Sequence, residues 1–310
     1  MYKRLLIPLD GSELAEVALP YSEELAEKLD SKVILINVRA PGEDPDNPEH
    51  RLYLSKMAAT IEQNIRKSDD IPPRLKRKVE SAIIGSSGLL THAAEEIVDY
   101  AEKENASLIV MATHGRTGIK RWALGSTTDK VVRAAKCPVL LIRANIDVPG
   151  SVKLGKFLVP LDGSKQSETV LSHIESLAFK LKAKVTILHV VVTPYHVYPV
   201  AEGAGYYSGA GIVKVPYSED EIKPLKAGVQ EYLEKISDKL TSQGIRTSYE
   251  VKVGSAGEEI IKTADETGAD IVAMSTHGES GFSRWEHGSI ADKVMRAGNT
   301  PLLLVRPHHQ

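Results

Sequence analysis

Residues 112–126 read ATHGRTGIKRWALGS, and residues 275–289 read STHGESGFSRWEHGS. The two stretches agree at Thr, His, Gly, Gly, Arg, Trp, Gly and Ser, and Gly278 lies 163 positions after Gly115. A second pair opens each half: IPLDGS at Ile7 to Ser12 returns as VPLDGS at Val159 to Ser164, 152 positions later. Solenoid units repeat at roughly 20 to 50 residues, so a repeat of this length marks a duplicated domain. The widening from the first landmark to the last requires a net insertion in the second copy. It falls after KVTILHVVV, where TPYHVYPVAEGAGYYSGAGIVKVPYSED replaces the shorter RAPGEDPDNPEH. These Tyr- and Gly-rich residues, 193–217, are expected to form a surface loop, with a lid or a partner surface as the alternative. Between the copies, ANIDVPGSVK (Ala144 to Lys153) has Pro, Gly and Ser without apolar periodicity, which puts the boundary near Gly150 and the domains at 1–146 and 151–310.

Each copy carries the same order of elements. RLLIPL, KVILINV, KRKVESAI, SLIVMA and PVLLI in the first, and GKFLVPL, KVTILHVVV, RTSYEVKV, DIVAMS and PLLLV in the second, are short apolar runs separated by amphipathic stretches such as ELAEVALPYSEELAEKL and THAAEEIVDYAEKE. Apolar strands alternating with helices mean a parallel sheet covered on both faces. The expected fold is therefore α/β: two tandem doubly wound domains, each a five-stranded parallel sheet with helices on both faces. The fifth strands, CPVLLIRA and TPLLLVRP, would each lie at an exposed apolar edge, which invites pairing.

Composition narrows the function classes. With 310 residues, 42% hydrophobic and 26% charged, and a net charge of −2, the chain has enough apolar residues for two cores and no excess of basic charge. Nucleic acid is therefore not an expected partner. The single cysteine, Cys137, excludes an internal disulfide and reads as a core residue. The opening apolar run breaks at Pro8 and Asp10, too early for a signal peptide, and no stretch reaches the roughly 20 apolar residues that span a bilayer. No membrane association is expected, and the cytoplasm is the expected compartment.

The opening stretch follows the fourth strand, and Asp10-Gly11-Ser12 follows the first. In open parallel sheets ligands sit beyond the carboxyl ends of strands where the strand order reverses, so if these strands are neighbours both motifs line one crevice. Gly115 and Gly118 allow close backbone approach, and Gly125, Ser126 and Thr127 offer amides and hydroxyls at a helix start, which suit phosphate oxygens. Arg116 and Lys120 would add cationic donors. Asp10 carries a carboxylate that phosphate would repel, so it should face ribose hydroxyls or a base amino group. A donor-binding end and an anion-binding end in one crevice describe a nucleotide. Plain structural roles compete: a turn at the helix start for the glycines, a turn or cap for Asp10, caps for Ser12 and Ser164, loop packing for His114 and His277, core or interface packing for Trp122 and Trp285, and a solvated strand edge for RLKRKVE.

The ordered set PLDGS, ILINV, MATHGRTGIKRWALGS and CPVLLI, present in both halves, resembles the universal stress protein family in a tandem form. The resemblance implies an adenine nucleotide alpha hydrolase-like fold and dimerisation through the fifth-strand edges, which in one chain can pair with each other as an intramolecular pseudo-dimer; further homo-oligomers and protein partners stay open. The family pattern for ATP, Gly, two residues, Gly, nine residues, then Gly-Ser or Gly-Thr, falls on Ala112, Gly115, Gly125 and Ser126 in copy one and on Ser275, Gly278, Gly288 and Ser289 in copy two. The first glycine is replaced in both by one of the two mildest additions. The resemblance also implies that Pro8, Asp10 and Val38 lie at the adenosine end of copy one, with Asp162 and Val190 as counterparts in copy two. Copy two has Glu279 for Arg116 and Glu286-His287 for Ala123-Leu124. Added acid beside a phosphate is unfavourable, so copy one is the expected better ATP site. The leading reading is an ATP-binding regulatory module of the stress response, without fast turnover because no base, metal cluster or activated nucleophile is recognisable around the cradle. The alternatives are a slow ATP-hydrolysing or adenylyl-transferring enzyme, with Asp10 helping to hold magnesium, and a structural protein that has lost nucleotide binding.

Overall fold

The computed structural model describes residues 1–39, 42–44, 47–66, 79–85, 92–114, 124–144, 150–200, 211–276 and 288–307. Copy one runs β1 (Arg4–Pro8), α1 (Glu13–Glu16), α2 (Leu19–Leu29), β2 (Lys32–Val38), α3 (Pro48–Arg66), β3 (Val79–Ile84), α4 (Ala93–Lys103), β4 (Leu108–Ala112), α5 (Ser126–Ala134) and β5 (Val139–Ile142). Copy two runs β6 (Lys156–Pro160), α6 (Lys165–Leu181), β7 (Lys184–Val192), β8 (Tyr195–Val200), β9 (Gly211–Pro216), α7 (Glu219–Ser242), β10 (Arg246–Gly254), α8 (Ala256–Thr267), β11 (Ile271–Ser275), α9 (Ser289–Ala297) and β12 (Leu302–Val305).

Ten of these strands form one sheet in the order β10-β7-β6-β11-β12-β5-β4-β1-β2-β3. In this sheet every pairing within a copy is parallel, and β1 lies between β2 and β4, as β6 lies between β7 and β11. The order therefore reverses between the first and fourth strands of each copy. Side chains alternate between two buried layers: Leu5 and Ile7 enter the core beneath α2, α3, α6 and α7, while Leu6 enters the core beneath α4, α5, α8 and α9. A strand buried on both faces must be apolar at every position, which is why LLI and VILI show no polar alternation. Each such Leu or Ile contributes roughly 1.5–3 kcal/mol by leaving water.

The two copies join where β5 and β12 pair antiparallel, with Leu303 opposite Leu140 and Leu302 opposite Leu141. Two arginines just beyond these strands close the seam reciprocally. Arg143 Nη2 donates to the Met295 carbonyl at 2.6 Å, and Arg306 Nη1 donates to the Arg133 carbonyl at 3.1 Å. Burial lowers the Arg143 pKa, and its hydrogen bond keeps the guanidinium satisfied. A further link between the copies is Tyr2, whose hydroxyl lies 2.8 Å from His173 Nδ1.

Three local outcomes differ from the sequence expectation. The single amphipathic stretch after β1 is two helices, because Pro20 lacks an N–H and its ring opposes a continuous first turn; α2 restarts with Pro20 inside its first two positions. Copy two has Ser172 at that position and α6 runs unbroken. The insertion expected as a surface loop instead contains an antiparallel ribbon, β8 with β9. Its base is fixed by His196, which stacks on Tyr217 at 4.4 Å and whose Nε2 lies 2.7 Å from Glu221 Oε1. Cys137, read as a core residue, is only partly buried, packed against the second core layer. β3 is the terminal strand of the sheet; of RLKRKVE, expected to be a solvated strand edge, residues 74–78 lie outside the described residues.

Candidate functional site

A cleft of about 210 Å³ opens in copy one at the carboxyl ends of β1 and β4. On one side, β1 ends at Pro8 and the chain turns through Gly11, whose φ of +84° is the left-handed conformation that glycine adopts without strain. Asp10 Oδ1 accepts hydrogen bonds from the Ser12 amide at 3.0 Å and the Ser12 hydroxyl at 2.6 Å. Ser12 Oγ in turn accepts from the Ala15 amide at 3.3 Å, capping α1. The turn and cap roles foreseen for Asp10 and Ser12 are thus both present, and they hold the Asp10 carboxylate in the cleft wall. Beneath it, the Asn37 amide donates to the Leu9 carbonyl at 2.7 Å and anchors the strand end.

On the other side, α5 begins at Ser126 with Gly125 as its N-cap. A Cβ on Gly125 would sit 3.0 Å from the Thr113 carbonyl oxygen, and the Gly125 amide donates to that same oxygen at 2.9 Å. A side chain at this position would therefore press on the chain's own backbone. The structure brings Pro8, Asp10, Val38, Ala112, Gly125, Ser126 and Thr127 to one cleft. Gly115, Arg116 and Gly118 lie outside the described residues, as do Lys120 and Trp122.

Copy two repeats the plan in a cleft of about 330 Å³ lined by Asp162, Val190, Ser275, Gly288 and Ser289 among others. Asp162 Oδ1 accepts from the Ser164 amide at 2.9 Å and its hydroxyl at 2.6 Å, and Ser164 Oγ caps α6 by accepting from the Ser167 amide at 3.1 Å. The Gly288 amide donates to the Thr276 carbonyl at 2.8 Å. Gly278, His277, Glu279, Trp285, Glu286 and His287 lie outside the described residues. Where copy one has Asn37, copy two has His189, hydrogen-bonded to the Leu161 backbone. Burial pushes the His189 pKa down, against the smaller upward pulls of the Asp162 charge and that hydrogen bond.

Sequence reasoning missed part of both walls. Ala93 and Ile97, one turn apart on α4, close the side of the first cleft together with Met111, and Ala256, Ile260 and Met274 do so in the second. A signal was available, since these residues recur almost unchanged in the two copies. His114, expected to pack a loop, is buried in the wall of the first cleft with Nδ1 3.1 Å from Thr113 Oγ1. Burial raises the Cys137 thiol to about 11, so the one thiol of the chain is protonated at neutral pH.

Two doubly wound units, each with a cleft at its strand-order reversal, define a tandem α/β protein with an open crevice at the strand ends of each half. The chain belongs to the universal stress protein family, whose model matches residues 1–143 and 153–306. It is 22% identical to a universal stress protein of Mycolicibacterium smegmatis over 98% of this chain and 97% of that protein. A universal stress protein of Methanocaldococcus jannaschii is 30% identical over 46% of this chain and 83% of its own length. Among solved structures, a putative universal stress protein of Pseudomonas aeruginosa superposes with a TM-score of 0.69 at 17% identity, covering 99% of this chain and 94% of that one, which supports the fold. Among the described residues, no helix is long and apolar enough to cross a membrane.

Proposed function

We propose that this chain is an adenine-nucleotide-binding regulatory protein of the stress response, acting in the cytoplasm, with ATP held better by copy one. The observation that carries the reading is the convergence of Asp10 and the Gly125-Ser126-Thr127 start of α5 on one cleft, at adjoining strands β1 and β4. Asp10 is an acceptor suited to ribose hydroxyls, and the α5 amino terminus offers amides, hydroxyls and positive partial charge to phosphate. Volume alone would favour copy two. Charge favours copy one, because the sequence before α5 carries Arg116, Lys120 and Arg121, whereas that before α9 carries Glu279 and Glu286 beside Arg284. Residues 1–146 and 151–310 are taken as the two functional units, and magnesium would accompany the phosphates of ATP.

Mass spectrometry of nucleotide retained by the purified full-length protein, paired with thermal unfolding in excess ATP, tests the reading. A ligand held by the native state at 100 times its Kd adds about 2.7 kcal/mol of stability. Retained adenine nucleotide and a raised Tm are expected, both lost in Arg116→Glu. An unchanged Tm in millimolar ATP overturns the assignment.

A further inference from the structure

The two clefts share one end and differ at the other. Their carboxylate ends are built alike: Asp10 and Asp162 each accept from the amide and hydroxyl of the serine two residues on, at matching distances. At the helix end, Ser126 is matched by Ser289, but Thr127 becomes Ile290 and Thr128 becomes Ala291. Thr128 is internally engaged, its hydroxyl donating to the Ala112 carbonyl at 3.1 Å, so Ala291 frees space in the wall. Ile290 is 36% exposed and lines the second cleft, which Val190, Val192 and Met274 continue as an apolar wall. A branched alkyl group now stands where copy one offers a hydroxyl.

We infer that copy two selects an uncharged, nucleoside-sized ligand: a planar heteroaromatic body against the apolar wall, with hydroxyl or amino hydrogens toward Asp162, and no phosphate. A phosphate at this cleft loses a donor at position 290 and meets alkyl groups that cannot solvate it. An uncharged ligand loses none of these and gains the apolar contact of a roomier cleft. The inference rests on the adenine reading of the fold's clefts and assigns to the second a ligand class distinct from that of the first.

The chain carries its own reporters, since Met111 lines the first cleft and Met274 the second. Full-length protein labelled with 13C at the methionine methyl groups is titrated with adenosine and, separately, with ATP, and the two resonances are followed. Adenosine is expected to move Met274 at a concentration about tenfold below that at which ATP does. The double variant Ile290→Thr, Ala291→Thr is expected to bring the two midpoints at Met274 together. A Met274 resonance that answers ATP as readily as adenosine, or answers neither, overturns the inference. Silence of Met111 toward ATP overturns the reading of copy one, while the ratio measured at Met274 decides the reading of copy two by its own signal.

Discussion

The two clefts are made by the same turn, the same cap and the same strand reversal, yet they differ in volume, in polarity and in the charge of the sequence leading to their helices. What is shared is what the backbone needs: a left-handed glycine after Asp10 or Asp162, a serine cap, and a glycine where the chain meets its own carbonyl. What differs is what a ligand would touch. A framework and its contents can thus be separated within one chain, because each half serves as the control for the other.

The largest test concerns the framework. Ile36 and Leu188 are equivalent and both fully buried. Ile36→Ala and Leu188→Ala should each cost about 2 to 5 kcal/mol in urea unfolding. A large inequality between them would break the view that the two halves are equally built. Next comes Gly125→Val, whose new Cβ would press on the Thr113 carbonyl; about 1 to 3 kcal/mol of destabilisation is expected, by the same measurement. Asp10→Ala should weaken ATP at Met111 by about tenfold and leave the Met274 response to adenosine in place. An equal loss at both reporters would mean that the clefts are not independent.

The smallest effect is a pH dependence confined to one half. His189 has its pKa lowered on folding, so between its folded value and the unfolded value near 6.5 the unfolded chain binds more protons. Stability contributed at this position is present above about pH 6.5 and is lost as the pH falls toward the folded value. His189→Asn, which installs the residue of copy one, should flatten that slope in thermal unfolding between pH 5 and 7. The Asn37 end of copy one should show no counterpart, and a slope unchanged in the variant would assign the acid sensitivity elsewhere.

The duplicated motifs made most of the fold legible. Two copies of PLDGS and of the glycine-rich stretch, each at the end of an apolar run, identify the first and fourth strands, and the apolar edges CPVLLI and PLLLV announce the seam that β5 and β12 form. The break between α1 and α2 was also written in the chain, as Pro20, but amphipathic periodicity outweighed it. The β8 and β9 ribbon was hidden by its composition: YHVYPV and GIVKVP alternate only partly, and each contains a proline. In the cleft, charged and glycine positions drew notice while Ala93, Ile97 and Met111 did not, since an apolar residue on a helix or strand end looks the same whether it faces a core or a ligand. Which of the two it faces depends on where the sheet stops.

The antiparallel seam has one more consequence. In an assembly of identical chains every substitution appears at each site at once, so no site can change alone. Here a change at Ile290 leaves Thr127 untouched, while Leu140 and Leu303 still pair across the seam. Covalent continuity has released the halves from symmetry, and the molecule can carry two recognition chemistries on one scaffold. Because the five strands that each half gives to the large sheet run parallel and the halves meet antiparallel, the two clefts open at opposite edges of that sheet. Between them lie the arginine-bolted seam and the Tyr2–His173 contact, the links through which one half can feel the other.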